Sequence, residues 1–444
     1  MPRIGIRRAD ITPPVGIPLI GFAGRGPAIG VHDPLYATAL VASDGSQTIA
    51  LIACDLLYVS ADLTAAVRQE IEGRLGIPGT CVALTCTHTH YGPETDPESS
   101  HPDVAAYLGA LMFQLAGLVQ EAMASRQTAL LGVGWGQSDI GINRRERRPD
   151  GSIWLGRNPG GPVDRSVGVC RIGDACGVPM ATIVNFAAHP VSQNSRMQLV
   201  SSDYPGQARQ VIERLTGAPC LFLQGACGDI NAVRMEDSYE PARSLGVRLG
   251  CEVVRVWETI APSHEGCLAS ASEVRRLPGY RYGSAEHASA LAAELDDEVR
   301  RLQAEKAPEG ARYWAELRLK RAREAVASWH GGPALEPVDA EFQAYRLGDL
   351  AWATAPAEVF NEIGGEVKAL SPFRDTFFVG YANGSIGYLP TPNAYDEGGY
   401  EVTHACRVDP AAAGIAIETC SRLLQQVAAT GPTGAEEGTC ASTS

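Results

Sequence analysis

His88 and His90 close an apolar run at residues 81–93, CVALTCTHTHYGP. The front half of that run reads as a buried strand, and residues two apart in a strand face one side. The two imidazoles are therefore expected to converge at a strand end with no backbone distortion, offering two nitrogen ligands to a divalent cation such as zinc. His189 ends a second apolar run, NFAAHP, where Pro190 stops any further strand ladder. Residues 224–231, QGACGDIN, form a glycine-bearing turn whose amides can face a ligand. Within it Asp229 can move a proton or bond turn amides, and Cys227 is a candidate nucleophile without an evident partner base. Cys86 shares the strand parity of His88 and His90, so it is open to ligation as well as to core packing. His32, His101 and His404 are candidates for a substrate wall or a second metal, although loop histidines are commoner.

The elements that must position these groups follow from periodicity. Residues 48–57 form an apolar run carrying Asp55 near its end, residues 61–75 have helical spacing, and the strand at 81 follows, which makes a strand–helix–strand crossover. Residues 104–123 read as a helix, 129–135 as a strand, and 167–172 with 180–188 as a β-pair. Helices are expected at 203–215, 242–259 and 411–428, strands at 219–223 and 376–379, and strand character over 342–354. Glu358 falls in the first turn of the next helix, where the macrodipole favours an acid. Residues 1–46 and 141–162 read as ordered turns and loop, with the basic run Arg144–Arg148 as a solvated stretch first and an anionic-substrate contact second. The expected architecture is α/β: a central mixed, largely parallel sheet flanked by helices, with a helical segment near 285–330. One domain is expected over residues 1–428, followed by a disordered tail over 429–444.

Composition narrows the function. The formal net charge of −14 argues against nucleic acid or an anionic membrane surface as partner. Hydrophobic content of 45% with 20% charged residues belongs to a globular chain with a sizeable core. The start, MPRIGIRRADITPP, has no apolar stretch long enough for a signal peptide, and nothing downstream reads as a membrane span. A cytoplasmic protein acting on a small molecule is expected. The 12 cysteines are scattered with no CxxC pair, as reduced thiols would be. Nothing in the pattern counts subunits.

With these motifs in hand, the chain resembles the neutral/alkaline ceramidase family. The resemblance rests on Thr87-His88-Thr89-His90, Phe186-Ala187-Ala188-His189-Pro190, Gly228-Asp229, and the late Glu358 with the Tyr388 to Tyr400 loop, in that order. It implies a catalytic zinc held by His88, His90, His189, Glu358 and Tyr388, with Tyr400 stabilising an oxyanion. The pattern also departs from the family. Asn231, Ala232 and Val233 stand where a serine, a proline and an asparagine are usual, so the family's serine nucleophile is missing; Asn231 cannot form an acyl-enzyme, but its amide can donate to an oxyanion. Ala357 replaces a usual glycine, and neither a secretion signal nor a C-terminal immunoglobulin-like domain is expected. The function expected is a zinc-dependent hydrolase that cleaves a carboxamide of a small soluble substrate with metal-activated water, Asp229, Asn231 and Tyr400 serving the reaction. An ester or lactone hydrolase at the same site is the nearest alternative, and a non-catalytic metal-binding protein the next.

Overall fold

The computed structural model describes the chain except for residues 23, 263–265, 281–283, 308, 331–335 and 431–444. At its centre is an eight-stranded sheet. In spatial order its strands are Cys220–Gln224, Pro179–Phe186, Ser166–Asp174, Gln127–Gln137, Arg3–Asp10, Tyr36–Ser43, Thr48–Cys54 and Val82–Cys86. The sheet is mixed, as expected, but parallel pairing is confined to its two edges, where Pro179–Phe186 meets Cys220–Gln224 and Thr48–Cys54 meets Val82–Cys86. Every pair between them is antiparallel. Each parallel edge pair is joined through a helix, as a parallel connection requires; these are Ala61–Leu75 and Asp203–Thr216.

Two stretches expected to be irregular are strands. Arg3–Asp10 and Tyr36–Ser43 occupy the middle of the central sheet; the glycines and prolines that dominate residues 1–46 cluster in the connection between them. Residues 141–162 hold Gly141–Arg147 and Ile153–Asn158, which join Ile230–Ala232 in a three-stranded sheet. Arg144 and Arg145 are consequently buried at 4% and 7% exposure rather than solvated, because Glu401 lies buried against both.

A second sheet of four strands, Leu268–Leu277, Val338–Leu347, Leu350–Thr354 and Asp375–Val379, carries the helix Ala411–Ala429 across it. Its Phe377 ring fits against the central sheet at Gly168, where a Cβ would lie 2.3 Å from the ring. The helical segment near 285–330 is a pair, Ala285–Ala304 and Glu309–Trp329, closed on Leu295, Val299 and Leu319. The 23-residue helix Pro102–Ala124 is long and apolar enough to cross a membrane by length and composition, which corrects the expectation that nothing reads as a span. Here it packs Leu111, Leu115 and Val119 against the central sheet. The expected tail lies outside the described residues beyond Thr430.

Candidate metal centre

Two chain segments meet at the ends of the central sheet. His88 and His90 follow the strand Val82–Cys86, and His189 follows Pro179–Phe186. Their ligating nitrogens lie within 4.8 Å of one another. The convergence is not made by strand alternation. The strand stops at Cys86, and His88 turns through the left-handed region at φ 65°, a conformation costing a non-glycine residue about 1–2 kcal/mol. Its backbone N–H donates to Leu56 O at 2.9 Å, which fixes the turn. Cys86 itself faces the interior beside Cys54 of the neighbouring strand, and burial pushes its thiol up, so it packs in the core.

Each imidazole is oriented by its far nitrogen. Nδ1 of His88 donates to Leu57 O at 2.8 Å, Nδ1 of His90 to Gly21 O at 3.0 Å, and Nδ1 of His189 to Cys227 O at 2.6 Å. A carbonyl can only accept, so all three protons sit on Nδ1 and all three Nε2 lone pairs are bare. Those lone pairs point at each other: His88 Nε2 and His90 Nε2 are 3.3 Å apart. Glu358 Oε2 joins them at 3.0 Å from His189 Nε2 and 3.2 Å from His88 Nε2. Four acceptors face one another here, an arrangement that only a shared proton or a cation can hold together. Ligands placed tetrahedrally around zinc at roughly 2.0–2.1 Å stand about 3.3 Å apart, close to the 3.0–3.3 Å of His88–His90, His88–Glu358 and His189–Glu358. Burial and the neighbouring imidazoles hold His90 well below the usual histidine range, and burial with the Arg144 cation brings His189 down to about 4. Glu358 is held well below the usual carboxylate range, burial being outweighed by His88 and His189. The donor set fits a divalent cation.

Glu358 reaches the cluster from the second sheet's side of the molecule. It lies in a two-residue strand, Glu358–Val359, not in a helical turn, and is paired directly with Tyr388 of Tyr388–Leu389; the helix begins only at Asn361. The pairing is pinned by Gly228, whose N–H donates to Val359 O at 2.8 Å and whose missing Cβ would lie 2.5 Å from Glu358 O. Tyr388 Oη accepts from Arg144 Nη2 at 2.8 Å. Arg144 also donates through Nη1 to Asn231 Oδ1 at 3.2 Å and through Nε to Glu401 Oε1 at 2.8 Å. Burial raises Tyr388 well above the usual phenol range. Tyr400 stands edge-on to Tyr388, ring centroids 6.0 Å apart, and burial with the Glu358 charge raises it to about 12.

Asp229 is turned elsewhere. Its carboxylate accepts from Asn361 N at 2.8 Å, Asn361 Nδ2 at 2.6 Å and Asn143 Nδ2 at 3.1 Å, which ties the Gly-Asp turn to the start of the helix Asn361–Ala369. Cys227 is fully buried, its Sγ 3.0 Å from Tyr381 Oη, and burial pushes the thiol up, the reverse of what a nucleophile needs. Arg144, Glu401 and Tyr381 are the site's unforeseen members. Tyr381 stacks on His88 at 4.0 Å and 26°. Only the alternation of Arg144 with Ile142 inside a short strand could have signalled the arginine; Tyr381 left no sequence signal beyond lying in the Tyr- and Gly-dense loop. His32 is partly exposed, pairs with Asp33 and stacks on Tyr239, while His404 is buried.

The fold is that of neutral ceramidases. The chain superposes on the crystal structure of neutral ceramidase from Pseudomonas aeruginosa with a TM-score of 0.72 at 20% identity, covering 95% of this chain and 74% of that one. It matches a ceramidase complexed with C2 with a TM-score of 0.74 at 18% identity, over 98% and 76% of the two chains. In sequence it is 32% identical over 96 residues to the neutral ceramidases of Drosophila melanogaster and Drosophila pseudoobscura pseudoobscura. That match covers 20% of this chain and only 14% of the length of those relatives. No family model matches the sequence.

Proposed function

We propose that the protein is a zinc-dependent hydrolase that cleaves a carboxamide, an N-acyl or related C–N bond, in a small substrate. The observation that carries this reading is the cluster of four acceptors, three Nε2 within 4.8 Å of one another and one carboxylate oxygen 3.0–3.2 Å from two of them, with no proton of their own between them. His88, His90, His189 and Glu358 would hold the ion, and Tyr388 would complete the shell. The Arg144 cation, 2.8 Å from the Tyr388 oxygen, offsets the charge a ligating phenolate carries. When bound, zinc supplies Lewis acidity to a carbonyl oxygen and lowers the pKa of a water beside it. The chain's own groups do the rest. Asn231 gives its Oδ1 to Arg144, which leaves its amide N–H to donate to a developing oxyanion. Tyr400 keeps its phenol proton at neutral pH for the same purpose. With asparagine at 231 and a thiol buried at 227, neither position offers an acyl-accepting nucleophile, and in this reading water attacks directly. We assign Asp229 to positioning rather than proton transfer, because its oxygens are taken up by Asn361 and Asn143. Cleavage of an amide, in place of another acyl bond, is supported by the likeness to proteins named ceramidases. A cytoplasmic setting belongs to the same proposal; it accords with the free thiols of the described cysteines.

The test is metal analysis of the full chain together with a panel of N-acyl compounds. We expect one zinc per chain, turnover that disappears on chelation and returns with zinc, and loss of both metal and turnover in His189→Ala. Turnover that survives complete metal removal, or a zinc-loaded protein inert towards every N-acyl compound, would overturn the reading.

A further inference from the structure

Beside His404 is a cavity of about 200 Å³. Its walls include Trp154 of the Ile153–Asn158 strand, Leu295, Arg318 and Ala322 of the helix pair, and Thr403 and His404. Tyr400 links it to the metal centre, its ring stacked on the cavity-lining His404 at 5.3 Å and 26° and edge-on to Tyr388. His404 is 5% exposed, and its Nε2 is buried with no partner. A buried polar atom left unsatisfied costs about 1–3 kcal/mol, so an orphan facing a cavity indicates a group that fills it.

The tautomer fixes what that group must be. Thr403 Oγ1 donates its proton to Gly399 O at 2.9 Å. The same oxygen lies 2.6 Å from His404 Nδ1, so it can only accept there, and the imidazole proton sits on Nδ1. His404 Nε2 is therefore a bare acceptor. Burial and the cations of Arg318 and Arg321 keep the ring neutral, and the same two cations disfavour an ammonium partner. What remains is a neutral donor, a hydroxyl or an amide N–H, on a body apolar enough for Trp154, Leu295 and Ala322.

We propose that this cavity is the subsite for the non-reacting end of the substrate, and that it takes a compact apolar or aromatic group bearing one neutral hydrogen-bond donor to His404. The volume is below the roughly 300–1,000 Å³ of sites for drug-sized ligands, so the group is small and a long acyl chain exceeds it. The word substrate rests on the proposed hydrolysis; occupancy of the cavity does not.

Phenol and anisole, which differ in that one donor, are the probes, and their affinities for the full-length zinc-loaded protein are measured by ligand-observed NMR. Phenol is expected to bind about five- to tenfold more tightly. In His404→Phe the preference disappears, with phenol falling to the affinity of anisole and anisole binding preserved. In Thr403→Val, which frees the tautomer, the preference shrinks. Equal affinities in the unaltered protein, or a preference that survives in a folded His404→Phe variant, would overturn the subsite. The two readings fail separately: a phenol preference in a protein inert to amides leaves the subsite standing and removes the hydrolase. Amide turnover whose preference for hydroxyphenyl over methoxyphenyl substrates is unaffected by His404→Phe does the opposite.

Discussion

Replacing Tyr381 probes how His88, the first of the proposed metal ligands, is held. Tyr381 lies flat on the His88 ring, 4.0 Å between centroids, and its hydroxyl reaches Cys227 Sγ at 3.0 Å. It sits at φ 56° in the left-handed region, just as His88 does at φ 65°. Two effects are separable by two substitutions. Tyr381→Phe keeps the stacked ring and removes only the bond to a buried thiol, which is worth about 1 kcal/mol; the metal-free protein should lose about that much stability while zinc affinity stays within about threefold. Tyr381→Ala removes the ring from a fully enclosed position, at about 3–5 kcal/mol for an aromatic deletion. It also frees the face of His88 that the ring covers, and loss of a group that orients a ligand costs about 10–100-fold in metal affinity. Urea unfolding of the metal-free protein reads the first quantity, and competition against a chromophoric chelator reads the second. The outcome that would refute the reasoning is zinc affinity in Tyr381→Ala equal to that of the parent, because the stack would then have no part in holding His88. A Tyr381→Phe variant as weak in zinc as the alanine variant would instead move the effect to the thiol bond.

Arg144→Lys keeps the charge but cannot donate to Tyr388, Asn231 and Glu401 together; kcat/KM should fall about 10²–10³-fold with zinc content unchanged, and activity within tenfold of the parent would count against its role. Asp203 is buried, and burial raises its carboxyl to about 6. A carboxyl whose folded pKa lies above its unfolded value stabilises at low pH and loses that contribution as pH rises, here between about 4 and 6, to a total of about 3 kcal/mol. The stability difference between Asp203→Asn and the parent, from urea midpoints, should therefore change across that window and be flat above pH 7; a difference constant from pH 4 to 7 would contradict it. The Arg209 guanidinium is bonded through both Nη atoms to Asp55, whose carboxylate also accepts from Tyr36 N at 2.9 Å. Arg209→Met strands that buried carboxylate and should cost about 3–5 kcal/mol, against thermal unfolding that barely moves if the pair is idle.

The helices were legible because each displays its apolar stripe within one stretch of chain; the Ala61–Leu75 helix runs over the residues its spacing gives, with Ser60 capping Leu63 N. Strand order was not legible. Arg3–Asp10 carries three arginines and an aspartate and still enters the middle of a sheet, because its alternate residues Ile4 and Ile6 are buried and its charges sit where partners such as Glu213 and Thr38 meet them. The three histidines were visible from their position at the ends of apolar runs, but the reason they converge was not. Alternation in an extended strand was the expected cause, whereas a left-handed turn at His88 is the one observed. Arg144 escaped because its partners, Tyr388 and Glu401, are about 250 residues away, and charge reads as solvated until a distant chain segment supplies its counterpart.

Three of the four converging ligands hang from ends of the eight-stranded sheet, and the fourth, Glu358, arrives on the chain that has just left the four-stranded one. An ion seated among them would thus be a rivet between two layers that also meet through Phe377 against Gly168 and through hydrogen bonds such as Asn185 Nδ2 to Phe378 O at 2.9 Å. Stripping it would loosen the seam before it unravelled either layer, so protease cuts in the demetallated protein should appear first around the Glu358–Tyr388 crossing, long before the strands themselves open.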